Sequence, residues 1–267
     1  MPKPQRQFRS QAIILSRRDF GESDRLLTLF TPQHGKIRAI AKGARKPSAK
    51  LSGHVELFAR SDCVIHRGRN LDILTQAELV DPYLGLRDDL GRGAYANYIA
   101  ELLDRFTADE EEAGKQLFLL LHETLSRIAE AKDPRLAARY FELQLLDLVG
   151  FRPELQECVL TRADLLPEPQ FFSHEEGGVV SRAAAPHLSA RLLELDFDTL
   201  KLLRHLQRSS RSYATVSSLR ITAEQHDSAE RIMLGYIAHL LERKLESVNF
   251  IRRLRGFSPI IQRGATE

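Results

Sequence analysis

The stretch KGARKPSAKLSG, residues 42–53, brings Lys42, Arg45, Lys46 and Lys50 together without one acidic or aromatic residue. Cations at that density do one kind of chemistry well. They neutralise phosphates and release the counterions condensed on a nucleic-acid backbone, which gives affinity without base readout and with steep salt dependence. No acid occurs between Asp24 and Glu56, and Arg25, Lys36 and Arg38 lie in the same interval. The catalytic patterns are weaker. His122-Glu123-Thr124-Leu125-Ser126 begins like HExxH but has Ser where the second histidine of a metal pair must stand, so it is expected on a helix surface. Asp81, Asp88 and Asp89 suit a domain-joining Asp-Pro step and a helix N-cap better than a nuclease metal. Gly35-Lys36 lacks the upstream Gly and the following Ser or Thr of a phosphate loop, and Cys63 sits inside an apolar run where a thiol is a small core residue. No catalytic residue, metal ligand or cofactor is expected.

The cations need a frame, and the charge distribution says where it ends. Residues 1–80 hold 15 Lys/Arg against 7 Asp/Glu, whereas 81–267 hold 24 against 29, so a net charge of only +3 hides a basic leading segment and an acidic remainder. A charge run is ordinarily a solvated face; one confined to a small segment favours a polyanionic partner. With 267 residues, 43% of them apolar, and a mean hydropathy of −0.29, the chain can bury a substantial core. No apolar run reaches the ~20 residues that span a bilayer, and two cysteines, Cys63 and Cys158, make no disulfide framework. A cytoplasmic protein that does not enter a membrane is expected.

Up to residue 80 the apolar runs are short: Ala12 to Leu15, Leu26 to Phe30, Ile37 to Ala41, Leu57 to Ile65 and Leu71 to Leu79. Turn signals separate them at residues 20–23, 32–35 and 67–70, which predicts five strands joined largely by antiparallel hairpins, and for that length a small OB-type barrel. Alternation in the third strand puts Ile37, Ala39 and Ala41 on one face and Lys36, Arg38, Ile40 and Lys42 on the other, one core and one basic. The expected contacts with a nucleic-acid backbone are therefore Lys36, Arg38, Lys42, Arg45, Lys46 and Lys50, with Arg67 and Arg69 at the last hairpin tip. Arg17, Arg18 and Arg25 stand beside Asp19, Glu22 and Asp24 and are expected to spend part of their charge locally. Of the aromatic residues that stack bases, residues 1–80 offer only Phe8, Phe20, Phe30 and Phe58, and the last two read as core. A strand held mainly by its phosphates, with its bases open to a complement, is the expectation.

After Asp81-Pro82 the period becomes helical. Tyr95, Ile99, Leu102, Leu103 and Phe106 mark one buried stripe and Leu117, Leu120, Leu121, Leu125 and Ile128 a second. A third helix starts at Asp133-Pro134, ends at Val149-Gly150, and buries Leu136, Tyr140, Leu143 and Leu146. A last long helix is predicted from about Ala223 to Ser247, with Glu242, Arg243 and Lys244 in solvent. Residues 151–185, rich in Pro and Gly, form a separate small module. The expected division is 1–80 as a barrel, 81–150 with 186–267 as a helical domain, and 151–185 as the inserted module, an α+β chain. Arg191, Arg204, Arg208 and Arg211 leave a basic groove in the helical part open.

The stretch AIILSRRDFGESDRLLTLFTPQHGKIRAIAKGARKPSAKLSG, followed by LLDLVGFRPELQEC, FFSHEEGG and YIAHLLERKLES, resembles the RecO family of bacterial recombination mediators over nearly the whole chain. The resemblance implies an OB-fold followed by a helical domain, binding of single- and double-stranded DNA, and annealing of complementary strands. It also implies cooperation with RecR to load RecA onto DNA coated by single-stranded-DNA-binding protein. Many members carry CxxC…CxxC in the inserted module. Here the matching positions are Cys158, Thr161, Ser181 and Ala184, so a degenerate module without zinc is expected, held by Leu155, Val159, Phe171, Phe172 and Val179. The competing reading is an RNA-binding OB module joined to a helical adaptor.

Overall fold

The computed structural model describes residues 6–46, 51–108, 114–131, 133–209 and 213–261, with only the backbone of 214 and 257–261. Its strands are β1 (Gln7–Phe20), β2 (Asp24–Thr31), β3 (Gly35–Ala41), β4 (Arg60–His66), β5 (Asp72–Asp81), β6 (Gln170–Ser173), β7 (Gly178–Val180) and β8 (Leu192–Leu195). The helices are α1 (Gly85–Asp88), α2 (Leu90–Phe106), α3 (Lys115–Glu130), α4 (Pro134–Leu148), α5 (Phe197–Arg208), α6 (Ala214–Ser217), α7 (Ala223–Leu241) and α8 (Glu246–Ile261). Two compact units result, Met1–Lys132 with Glu246–Glu267, and Asp133–Leu245.

In the first unit the five expected strands close into an OB-type barrel in the order β1-β2-β3-β5-β4. Positive φ at Gly21 and Gly35 lets the two leading hairpins turn tightly. All ladders are antiparallel except β3 with β5, whose pairing of Ala39 with Asp72 and Ala41 with Leu74 completes the closure. Ala12, Ile14, Leu27, Leu29, Ile37, Ala39, Ala41, Cys63, Ile65 and Leu74 fill the interior. Cys63 is core as expected, and burial, aided by the neighbouring Asp62 charge, pushes its thiol up to about 12. Asp89 N-caps α2 through Arg92 N at 2.9 Å. Along α2 and α3 the expected stripes are buried, except Phe106, which is half-buried. His122 is not bare surface: its Nδ1 lies 2.6 Å from the Tyr83 hydroxyl, and burial lowers its pKa.

The long terminal helix is two helices. Glu242 adopts φ 51, a left-handed turn that ends α7 with neither Gly nor Pro, and Leu245 is buried in the break. The chain then returns to the first unit as α8. Its first turn places the amides of Glu246 and Ser247 at 3.1 and 2.9 Å from the Glu101 carboxylate, a negative charge where a helix presents its unsatisfied donors.

In the second unit Asp133 N-caps α4 with Pro134 behind it, and Gly150 takes φ +84 in the C-terminal turn, as predicted. The helix is buried beyond its apolar stripe: Arg139 and Glu142 pair at 2.5 Å inside. The small module is a sheet in the order β7-β6-β8, so its third strand comes from beyond residue 185. Leu155, Phe172 and Val179 are fully buried, and Val159 and Phe171 pack on the cluster around Cys158.

Candidate nucleic-acid interface

Strand pairing fixes which side chains share the barrel's outer surface, because directly opposed residues point the same way. On β1-β2-β3 the outward rows are Ile13–Phe30–Lys36, then Ser16–Thr28–Arg38, then Arg18–Leu26–Ile40, and at the hairpin end Phe20–Asp24, with Lys42 one residue past the ladder. The first row is buried, under α2 and α3, which pack on β1 and β2. The other rows are open: Arg18, Phe20, Arg38 and Lys42 are exposed, and Ser16, Leu26, Thr28 and Ile40 half-buried.

This division corrects the expectation for Lys36. Its side chain is only 7% exposed; its Nζ donates to the carbonyls of Asp104 and Thr107 at 2.7 Å each and lies 3.1 Å from Asp104 Oδ1. Lysine here caps the carbonyl end of α2, where a cation satisfies otherwise orphaned acceptors. Lys36→Ala should therefore cost about 2 kcal/mol of stability in denaturant unfolding while leaving the salt dependence of DNA binding in place. Unchanged stability with weakened binding would return Lys36 to the interface.

Arg38, Lys42, Arg45 and Lys46 are all exposed. Arg45 has an acid partner that its neighbours in sequence do not reveal. It lies 3.3 Å from Asp19 Oδ2, donates to the Gly21 and Glu22 carbonyls, and so ties the loop after β3 to the β1-β2 tip. Asp24 accepts the Gly43 amide at 2.7 Å, and that bond, with Ser23 and the nearby charges of Lys42 and Lys46, lowers its pKa. Lys50 lies outside the described residues. Arg67 pairs with Asp72 at 3.1 Å and stacks 4.8 Å over the Phe8 ring, and Arg69 is exposed at the hairpin tip beside it.

Arg17 and Arg25 do not pair with the acids of their own hairpin. Both point inward and share Glu56, Arg25 at 3.3 Å, closing the hairpin end of the barrel; burial alone would raise the Glu56 pKa, but the bonds from Arg17 and Arg25 lower it. Arg18, unlike Lys36, stands exposed in an outward row. Arg6 joins Arg67 through the Arg67 amide, at 3.0 Å from the Arg6 carbonyl, and with Arg9 extends the cations of that tip. The signal for both was the β1-β4 register, which composition does not contain. In the second unit Arg204 is spent on packing: it donates to the Leu155 and Gln156 carbonyls at 2.6 and 3.1 Å. Arg211 lies outside the described residues.

No group of His, Cys, Asp and Glu that could hold a metal occurs among the described residues. Among Cys158, Thr161, Ser181 and Ala184, the Ser181 amide donates to Cys158 Sγ at 3.3 Å, and Ala184 N to the Ser181 hydroxyl at 3.2 Å. Burial would raise the Cys158 thiol, but hydrogen bonds from Ser181 and Thr161 outweigh it and bring the pKa down to about 6. Hydroxyl and amide hydrogen bonds join these two turns.

The family model for the recombination protein O N terminal domain matches residues 5–83, and that for its C terminal domain matches 87–248. The chain belongs to the RecO family. Similar curated relatives are each named DNA repair protein RecO. That of Roseiflexus sp. is 38% identical, over 94% of this chain and 87% of the relative. That of Desulforamulus reducens is 34% identical over 92% and 94%, and that of Heliobacterium modesticaldum 39% over 75% and 74%. The boundary between the two RecO models falls at the end of β5, where the barrel gives way to α1. No helix among the described residues of this RecO-family chain is long and apolar enough to cross a membrane.

Proposed function

We propose that this chain acts in DNA repair as a non-catalytic recombination mediator. The barrel holds single- and double-stranded DNA by its phosphates, anneals complementary strands without a nucleotide, and works with RecR to load RecA onto DNA coated by single-stranded-DNA-binding protein. The observation that carries this reading is the uncovered part of the barrel's outer face, where Arg18, Arg38 and Lys42 stand exposed beside Arg45 and Lys46. Cations of that kind reduce the repulsion between two backbones while most base edges stay open to a complement. The repair role of the RecO relatives supports the choice of DNA.

Fluorescence annealing of complementary DNA and RNA oligonucleotides, without ATP, tests it. Accelerated pairing of DNA, suppressed by added salt, is expected. Acceleration confined to RNA would instead make the protein an RNA-binding adaptor, and no acceleration of either would overturn the annealing role.

A further inference from the structure

The open rows contain more than charge. Leu26 faces Ile40 across β2 and β3, and Phe20, opposite Asp24, is diagonal to Leu26, a separation of ~7–8 Å that an aromatic side chain bridges. These three apolar residues occupy outward positions on three adjoining strands, yet Phe20 is 45% exposed and Leu26 and Ile40 only half-buried. A lone exposed apolar side chain needs no explanation. A contiguous shelf bounded by Arg18 in its own row, Arg38 in the next and Lys42 at the end is a different object, because the cations dictate what lies over the apolar floor. On the β1-β2 side of this row, at Phe20 itself, a phosphate is disfavoured, because Asp19, Asp24 and the exposed Glu22 surround the ring, whereas Lys42 closes the row on the β3 side.

We infer that Phe20, with Leu26 and Ile40, is a stacking shelf for one nucleobase of a single strand whose phosphates run along Arg18, Arg38 and Lys42. The inference rests on the DNA-binding reading above and adds a base contact to it. It makes single strands preferred over duplex at this face, because a paired base keeps both of its π faces inside the stack. One base per barrel is held, and the remaining bases stay available for pairing. Base–aromatic contacts tolerate any base, since all four present a π face.

The chain contains no tryptophan, so Phe20→Trp in the full protein installs one indole reporter at the shelf. Its emission is followed during titration with a dT oligonucleotide and with an abasic oligomer of equal length, while anisotropy of labelled strands reports binding separately. The expected result is quenching by dT and little change with the abasic oligomer, both being bound. In addition, Phe20→Ala should weaken dT binding roughly fivefold, leave abasic binding unaltered, and keep the same salt slope. Equal emission changes with both oligomers, or equal affinity of Phe20→Ala for dT, would overturn the shelf while leaving phosphate binding intact. Absence of binding by anisotropy in the unaltered protein would overturn the DNA reading and the shelf with it.

Discussion

Simultaneous replacement of Lys42, Arg45 and Lys46 by alanine should lower single-strand affinity roughly tenfold to a hundredfold at moderate salt and flatten the slope of log K against log salt by about 2. The slope is the more informative number. Each phosphate that is no longer neutralised removes ~0.7 from it for a single strand, irrespective of sequence, so the three substitutions together predict a change that homopolymers of different bases must share. Arg45 also ties the loop to the β1-β2 tip through Asp19 and two carbonyls, so its removal alters loop geometry as well as charge. The double variant Lys42→Ala, Lys46→Ala keeps that tie and separates the two effects: its slope should still fall by more than half of the triple variant's change. Titration by anisotropy at several salt concentrations measures both. An unchanged slope in the triple variant would place the phosphate-binding surface elsewhere.

The second large effect concerns the module. Cys158, Ser181 and Ala184 converge on one point, and Thr161 contributes a hydrogen bond to the same sulfur. Each pair lies on a short turn, closed by Arg162 N on the Cys158 carbonyl at 2.8 Å and by Ala184 N on the Ser181 carbonyl at 3.0 Å. Four thiolates at such positions make a tetrahedral site. The variant Thr161→Cys, Ser181→Cys, Ala184→Cys should therefore bind one zinc. With free zinc a thousandfold above the dissociation constant, the folded state gains about 4 kcal/mol, or a rise of about 10 °C in melting temperature, reversed by chelator. The parent should show no zinc-dependent shift. A triple variant with the parent's circular dichroism and no zinc uptake would show that the turns no longer converge as ligands require. The module holds without four cysteines because Leu155, Phe172 and Val179 already bury its centre.

The barrel was legible because three signals agreed: turn residues between short apolar runs, period-two alternation, and a charge boundary at the point where the period changes. Caps at Asp89 and Asp133 were legible for the same reason, since a cap acts over three residues. What escaped depended on groups distant along the chain. Lys36 follows the alternation correctly and does point outward, but α2, about 70 residues later, covers that part of the face and draws the lysine into its own carbonyl end. Arg17 and Arg25 have acids nearby in sequence, yet the bulge between Ile14 and Ser16 reverses the parity of β1, so Arg17 points inward with Arg25 to Glu56. The break at Glu242 carries no glycine or proline to announce it. Counting phenylalanines identified the core pair, Phe30 and Phe58, correctly; it did not show that Phe20 shares a face with Leu26 and Ile40. Residue type was visible in each case, and register was not.

A barrel that grips DNA by its phosphates must be where nucleic acid touches the protein. Photocrosslinking of a single-stranded DNA oligonucleotide to the full chain, with the attached peptides located by mass spectrometry, reads that out directly. Crosslinked peptides from residues 16–46, diminished in the Lys42, Arg45 and Lys46 triple variant, are the predicted result. Crosslinks confined to residues 133–245 would contradict it.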